Sequence, residues 1–78
     1  MIQILFFAGI QEELGIDRLE VEPEGIYTVK ELKGFLQHTY HSSTLQQSMT
    51  AINENFVTEQ EKIKEGDIVA FIPPVSGG

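Results

Sequence analysis

The sequence predicts an α+β fold, a mixed β-sheet with one main helix packed across one of its faces, and three observations carry that expectation. Two short stretches, Met1 to Ala8 and Ile68 to Ile72, are apolar on both strand parities apart from Gln3, as central strands covered on both faces would be. One strong helix-start signal lies between them, at Thr28. Asn53-Glu54-Asn55, set between the apolar pairs Ala51-Ile52 and Phe56-Val57, marks a hairpin.

Each element follows in order. Met1 to Ala8 is a central strand. Ile10 and Leu14, four residues apart with Gly15 behind them, suit a helical turn closed by a left-handed glycine. Leu19-Glu20-Val21-Glu22 alternates apolar with acidic before Pro23-Glu24-Gly25 turns the chain, which makes it a half-exposed strand paired with the first. In Thr28-Val29-Lys30-Glu31 the Thr28 hydroxyl can accept from the Glu31 amide while the Glu31 carboxylate reaches back to the Thr28 amide, so a helix begins there. Val29, Leu32, Leu36 and Tyr40, with Phe35 beside them, form its apolar face, and Lys30, Lys33 and Gln37 are expected to face water. Gly34 costs this helix about 1 kcal/mol relative to Ala, so the helix depends on packing. His41 to Thr50 is polar apart from Leu45 and Met49 and reads as a loop with one helical turn at most. Two Asn in three residues supply the positive-φ positions of the hairpin. Lys64-Glu65-Gly66-Asp67 is a further turn, and Ile68 to Ile72 is the second central strand, ended by Pro73-Pro74. Setting the two apolar strands side by side, with the helix across one face, satisfies both burial patterns. That is a roll of the β-grasp kind over residues 1–72, followed by an extended tail over residues 73–78.

Seventy-eight residues hold one such domain and bury only about 60% of the surface the unfolded chain exposes, which leaves little room for an internal active-site cavity. There is no cysteine, which removes disulfides, thiolate nucleophiles and thiolate-bound metals together. Twelve acidic against five basic side chains give a formal charge of -7, which repels phosphate backbones and anionic membrane surfaces. Neither nucleic acid nor membrane is an expected partner. The apolar opening lacks a preceding Lys or Arg and is followed by Glu12-Glu13, and no stretch reaches the roughly 18 apolar residues of a membrane span. A cytoplasmic protein is expected.

Few residues offer chemistry. His38 and His41 are three residues apart, but a metal site takes three or four ligands and no carboxylate is near them in sequence, so they read as exposed side chains near a helix end. No metal is expected. Ser42, Ser43 and Ser48 lie in no nucleophile motif, and Gly25, Gly34 and Gly66 make no phosphate-cradling pattern. What remains is the tail, Pro73-Pro74-Val75-Ser76-Gly77-Gly78. Two prolines stiffen its base and two glycines remove every Cβ from its tip, so it can enter a narrow slot. At about 3.3 Å per residue the residues beyond Pro73 reach roughly 16 Å, enough to enter a partner's active site. The terminal carboxylate can attack an activated phosphate.

The run from Ile68 through Pro73-Pro74-Val75-Ser76-Gly77-Gly78, preceded by Gly66-Asp67, resembles the closing signature of the small subunits of molybdopterin synthase, the MoaD-type ubiquitin-like sulfur carriers. Leu5-Phe6-Phe7-Ala8 and Ala51-Ile52-Asn53 are similar to that family's first strand and hairpin, whereas Asp17 to Thr50 carries little that is diagnostic. The resemblance implies a ubiquitin-like β-grasp protein whose Gly78 carboxylate is adenylated by an E1-like adenylyltransferase. That partner uses the ATP; this chain binds no cofactor. The adenylate is then converted to a thiocarboxylate, with no protease step because the tail ends at Gly78. The carrier docks on the synthase large subunit, in a heterotetramer, and Gly78 delivers sulfur to the cyclic pyranopterin precursor of molybdenum cofactor. On this reading the chain is a non-catalytic, sulfur-donating subunit of a transferase, with the acid-base groups on the large subunit. One departure concerns Gln11, where some relatives carry a basic residue that makes a polar rim contact.

Strand alternation supports docking independently. If Ile2, Ile4 and Phe6 face the helix, Leu5 and Phe7 point to the opposite side of the sheet, where no second helix of any length covers them, and Phe56 and Ile72 join them. The family docks through a surface that includes the positions matching Phe7, Phe56 and Ile72. A competing arrangement folds the 41–50 loop over Leu5 as a second small core. Two other functional readings stand beside the first: a carrier or protein modifier for another pathway, such as the thiamine type, or a β-grasp binding module without covalent chemistry. Pro73-Pro74-Val75 argues against the thiamine type, and the binding module would make Gly78 dispensable.

Overall fold

In the computed structural model, which describes residues 1–74, the two apolar ends of the chain lie next to each other. Strand β1 (Ile2–Phe6) pairs in parallel with β5 (Ile68–Ile72), Ile4 opposite Val69 and Phe6 opposite Phe71. Ile2, Ile4, Val69 and Phe71 are wholly buried, and the Phe6 and Phe71 rings stack with centroids 6.1 Å apart. The remaining tail residues, Val75, Ser76, Gly77 and Gly78, lie outside the described residues.

Helix α1 (Ala8–Leu14) ends at Gly15, whose φ of 79° is the left-handed conformation expected there. Strand β2 (Arg18–Val21) returns antiparallel to β1. Helix α2 (Val29–Tyr40) opens with the full capping box: the Glu31 amide donates to the Thr28 hydroxyl, and the Thr28 amide donates to the Glu31 carboxylate at 2.9 Å. The single turn α3 (Ser43–Gln46) follows, then the hairpin β3 (Met49–Ile52) and β4 (Asn55–Val57). The sheet order is β2-β1-β5-β3-β4, with β5 antiparallel to β3. This is the mixed β-grasp sheet, with both both-parity apolar strands flanked on each side. Val29, Leu32 and Leu36 of α2 close over Ile2, Ile4, Val69 and Phe71.

Expectations for four residues, Lys33, Phe35, Gln37 and Asn55, need correction. Lys33 is buried and Phe35 is 49% exposed, the reverse of what was expected for the helix faces. The reason is angular: at about 100° per residue Lys33 lies roughly 40° from Val29, inside the buried arc, and Phe35 roughly 120° away. Lys33 burial is tolerated because its stem packs while its ammonium donates to the Ser48 carbonyl at 2.9 Å, the Gln46 carbonyl at 3.4 Å and Glu59 Oε2 at 3.4 Å. Gln37 is half-buried and not simply solvated. Its amide oxygen accepts from the Ser42 amide at 2.7 Å, and its nitrogen donates to the Gln46 side chain at 3.2 Å. In the hairpin, positive φ falls on Asn53 (49°) and Glu54 (72°), and Asn55 opens β4 instead. A two-residue turn with both central residues left-handed matches the twist of the strands it joins.

The stretch 41–50 is thus held by polar groups as well as by the one buried apolar side chain of Leu45. Ser42 caps α3 by accepting from the Leu45 amide at 2.9 Å, and Ser48 Oγ donates to the Leu45 carbonyl at 2.7 Å. Because Lys33 donates to two carbonyls of this stretch, Lys33→Met is expected to lower the unfolding free energy by about 1.5–3 kcal/mol in a urea melt. Glu59→Gln, which alters only the half-exposed partner, should change it by less than about 1 kcal/mol. The opposite ranking would mean that the ion pair, and not carbonyl capture, anchors the segment.

Candidate functional site

The face of the sheet turned away from α2 carries the candidate site. One row of registered residues crosses all five strands: Arg18, Leu5, Ala70, Ala51 and Phe56. Alternation puts these side chains on the same face. The third and fourth positions are alanines, so the row dips between Leu5 and Phe56. Ile72 and Met49 pair on one side of it, and Ile68 lies on the other. The result is an apolar groove of about 560 Å³ with Ala51 and Ala70 on its floor and Leu5, Phe7, Phe56, Ile68 and Ile72 around it.

The groove is open to solvent. Phe56 is 64% exposed and Phe7 44%, and unlike the exposed Tyr27 and Phe35 they share one contiguous apolar surface. The competing arrangement, in which the 41–50 loop covers Leu5, is not adopted. Leu45, the apolar residue at the centre of that loop, is wholly buried in the helix-side core with Ile2 and Leu36.

Phe7 is placed by the junction between β1 and α1. Its backbone stays extended, with φ −115° and ψ 153°, so strand alternation carries its ring to the far side. Its N–H donates to the Phe71 carbonyl at 3.2 Å, and its carbonyl accepts from Ile10 at 3.1 Å as α1 begins. Ala8 then takes φ 49°, a left-handed conformation that a non-glycine residue adopts at a cost of about 1–2 kcal/mol. Both flanks of the Phe7 backbone are therefore held while its ring is free.

At the other end the hairpin is fixed by Asn53. Its main-chain N–H donates to the Ile68 carbonyl at 2.8 Å, its side-chain oxygen accepts from the Ile68 amide at 3.1 Å, and its amide nitrogen donates to Asp67 Oδ1 at 3.0 Å. Asp67 Oδ2 in turn accepts from the Lys64 amide at 2.8 Å, bracing the turn before β5. Sequence reading assigned Asn53 to the turn but missed this stitching. It also missed Ala51, Ala70 and Glu54 as groove residues, although the parity that selected Leu5 selects both alanines once the strands are registered.

Of the residues singled out from the sequence, the structure brings Phe7, Phe56 and Ile72 to one groove. Pro73 and Pro74 follow β5 directly beyond Ile72; Val75, Ser76, Gly77 and Gly78 lie outside the described residues. Gln11 lies beside the groove in a small depression with Leu5, Phe7, Asp17 and Arg18, so a cation stands near this neutral position. His38 and His41 are exposed, and His41 closes α2 with φ 51°. Among the described residues no three His, Asp or Glu side chains are arranged to hold a metal ion, and no helix is long and apolar enough to cross a membrane. Ser42 and Ser48 serve as local caps.

Residues 4–78 match the model of the ThiS family. The molybdopterin synthase sulfur carrier subunit of Dictyostelium discoideum is 38% identical over 81 residues, covering 97% of this chain and 94% of that one. The subunit of that name from Escherichia coli K12 is 35% identical over 82 residues, covering the whole of both chains. Among solved structures, a protein–protein complex of subunits 1 and 2 of molybdopterin-converting factor from Helicobacter pylori 26695 contains a chain with TM-score 0.71 and 23% identity, covering 99% of this chain and 97% of that one, which shows a shared fold.

The parity of β1 can be tested on the free domain. Phe7→Asp should shift the urea midpoint little, a change below about 1 kcal/mol, because the ring it removes packs on no core. Phe6→Ala should cost about 3–5 kcal/mol. Equal losses would place Phe7 in the core.

Proposed function

The chain belongs to the ThiS family, and from that membership we propose that it is the sulfur-carrier subunit of molybdopterin synthase. The observation that carries this reading is the extent of the match. Similarity to molybdopterin synthase sulfur carrier subunits runs over essentially the whole chain, and the family match reaches Gly78. The same relatives favour this recipient over a thiamine-type pathway.

In the proposed cycle the Gly78 carboxylate attacks the α-phosphate of ATP on an E1-like adenylyltransferase, forming an acyl adenylate and releasing pyrophosphate. A sulfide equivalent then attacks the acyl carbon: the C–S bond forms, the bond to the adenylate oxygen breaks and AMP leaves. The resulting thiocarboxylate passes its sulfur to the pyranopterin precursor in the large subunit's active site, and water restores the carboxylate. This chain supplies the carried group and the means of presenting it. Gly77 and Gly78 present no Cβ to a narrow slot, and Pro73-Pro74 set an extended base for them. The acid-base groups belong to the large subunit, and ATP is bound by the activating enzyme.

The apolar groove supports docking of the large subunit. Burying Phe7, Phe56 and Ile72 against a complementary surface supplies the central apolar contact that interfaces of this kind rely on. The groove and the start of the tail share β5, so a partner seated on Ile72 also holds the strand that leads into Pro73.

Deleting Gly78 should abolish sulfur transfer in an assay with large subunit, precursor and a sulfide source, with the thermal melt unchanged. Retained activity would sink the carrier reading in favour of a binding module. Gly77→Val should fold normally yet fail in pyrophosphate exchange with the activating enzyme or in product formation, because a β-branched side chain stands where only hydrogens fit. Phe7→Asp, whose effect on the free domain is small, should weaken calorimetric binding to the large subunit by several kcal/mol through a charge buried without compensation. Binding that survives this change would remove the groove from the interface.

A further inference from the structure

We propose that Glu54 is a specificity contact of the groove, aimed at a cationic side chain on the docking partner. Among the residues that form the groove, Glu54 alone carries a charge. It sits at the tip of the β3–β4 hairpin, beside Asn53 and two residues before the exposed ring of Phe56. Its carboxylate takes part in no hydrogen bond or ion pair with the other described residues. An intramolecular role therefore does not account for it.

Its backbone makes the point more sharply. Glu54 is held at φ 72° in the second central position of a two-residue turn, where glycine is favoured because the left-handed region crowds a Cβ. Asn53 before it also has positive φ, but its side chain makes two, and its main-chain N–H a third, of the contacts that lock the hairpin to Asp67 and Ile68, so its strain has a structural return. Glu54 has none inside the domain. A residue kept in an unfavourable conformation, with an unpartnered charge at the rim of an apolar docking surface, is placed for something that arrives from outside.

The chemistry of that partner follows from charge. The chain carries a formal charge of -7, so a second copy would bring another acidic surface to the groove and is disfavoured. A partner with an apolar ridge for Phe7 and Phe56 and an Arg or Lys opposite the hairpin tip fits both halves of the surface. Arg18 stands at the other end of the cross-sheet row, on β2 just outside the groove and beside Asp17, so a cation lies near one flank and the anion at the other. Such polarity fixes which way round an apolar ridge is seated, since the reversed orientation sets like charges against each other. The inference rests on the large subunit being the occupant and adds the residue that orients it.

Two variants of the full chain test it against the large subunit. Glu54→Gln keeps the side-chain length and the strained backbone but removes the charge. It should weaken binding roughly threefold to fivefold at low salt, the difference from the parent vanishing near 1 M salt, where such pairs are screened. Glu54→Gly should show the same loss while raising the melting midpoint of the free domain by roughly 4 °C, as strain at positive φ is relieved. Binding unchanged by both substitutions, with the parent chain binding normally, would overturn the role of Glu54 and leave the docking reading intact. A loss that persists undiminished at high salt would overturn the cationic contact. No binding by the parent chain itself would overturn the large subunit as occupant, and this inference with it.

Discussion

Parallel pairing of the first and last strands is the constraint from which the rest of the structure follows. It joins residues more than sixty positions apart, so the loop it closes must be compensated by apolar burial. Ile2, Ile4, Val69 and Phe71, wholly buried, and the stacked Phe6 and Phe71 rings supply that burial. A parallel pair also requires the intervening chain to cross over the sheet, and α2 lies on that crossover. With α2 committed to one face, nothing remains to cover the other, so the apolar positions of opposite parity stay open as a groove. Core and groove are thus the two parities of the same strands.

Most of this was legible from elementary patterns. Thr28 and Glu31 announced the start of α2, Gly15 the end of α1, and the double-parity runs at Met1 to Ala8 and Ile68 to Ile72 the sheet centre. Phe7, Phe56 and Ile72 could be assigned to one face because alternation along a strand is strict. What escaped was of two kinds. Lys33 was assigned to water by its charge although its angle on the helix put it inside the buried arc; burial depended on carbonyls at Gln46 and Ser48 that no local pattern foretells. Ala51 and Ala70 carry no signal along their own strands, because a small apolar residue fits either face. Only the cross-strand register shows that their size makes the floor of a groove.

Polar residues here act mainly as fasteners for weakly apolar segments. Between α2 and β3 the chain is held by Gln37, Ser42, Ser48 and Lys33, each satisfying a backbone group that burial would otherwise leave unpaired. Asn53 and Asp67 do the same where the hairpin meets the turn before β5. A domain of this size has too little apolar mass to immobilise every connection by packing, and side-chain hydrogen bonds to backbone groups make up the difference.

The direction of β1 relative to β5 has a mechanical consequence. In parallel neighbours the chain enters β1 at one end of the sheet and leaves β5 at the other, so tension applied between Met1 and the residues beyond Pro74 pulls the two strands along each other and not apart. The ladder is then loaded in shear, with its hydrogen bonds sharing the force instead of opening one after another. β5 is held on its second side by β3 as well. A pull on the end of β5 is therefore resisted by ladders on both of its sides loaded along their length, and the central strand does not peel away pair by pair.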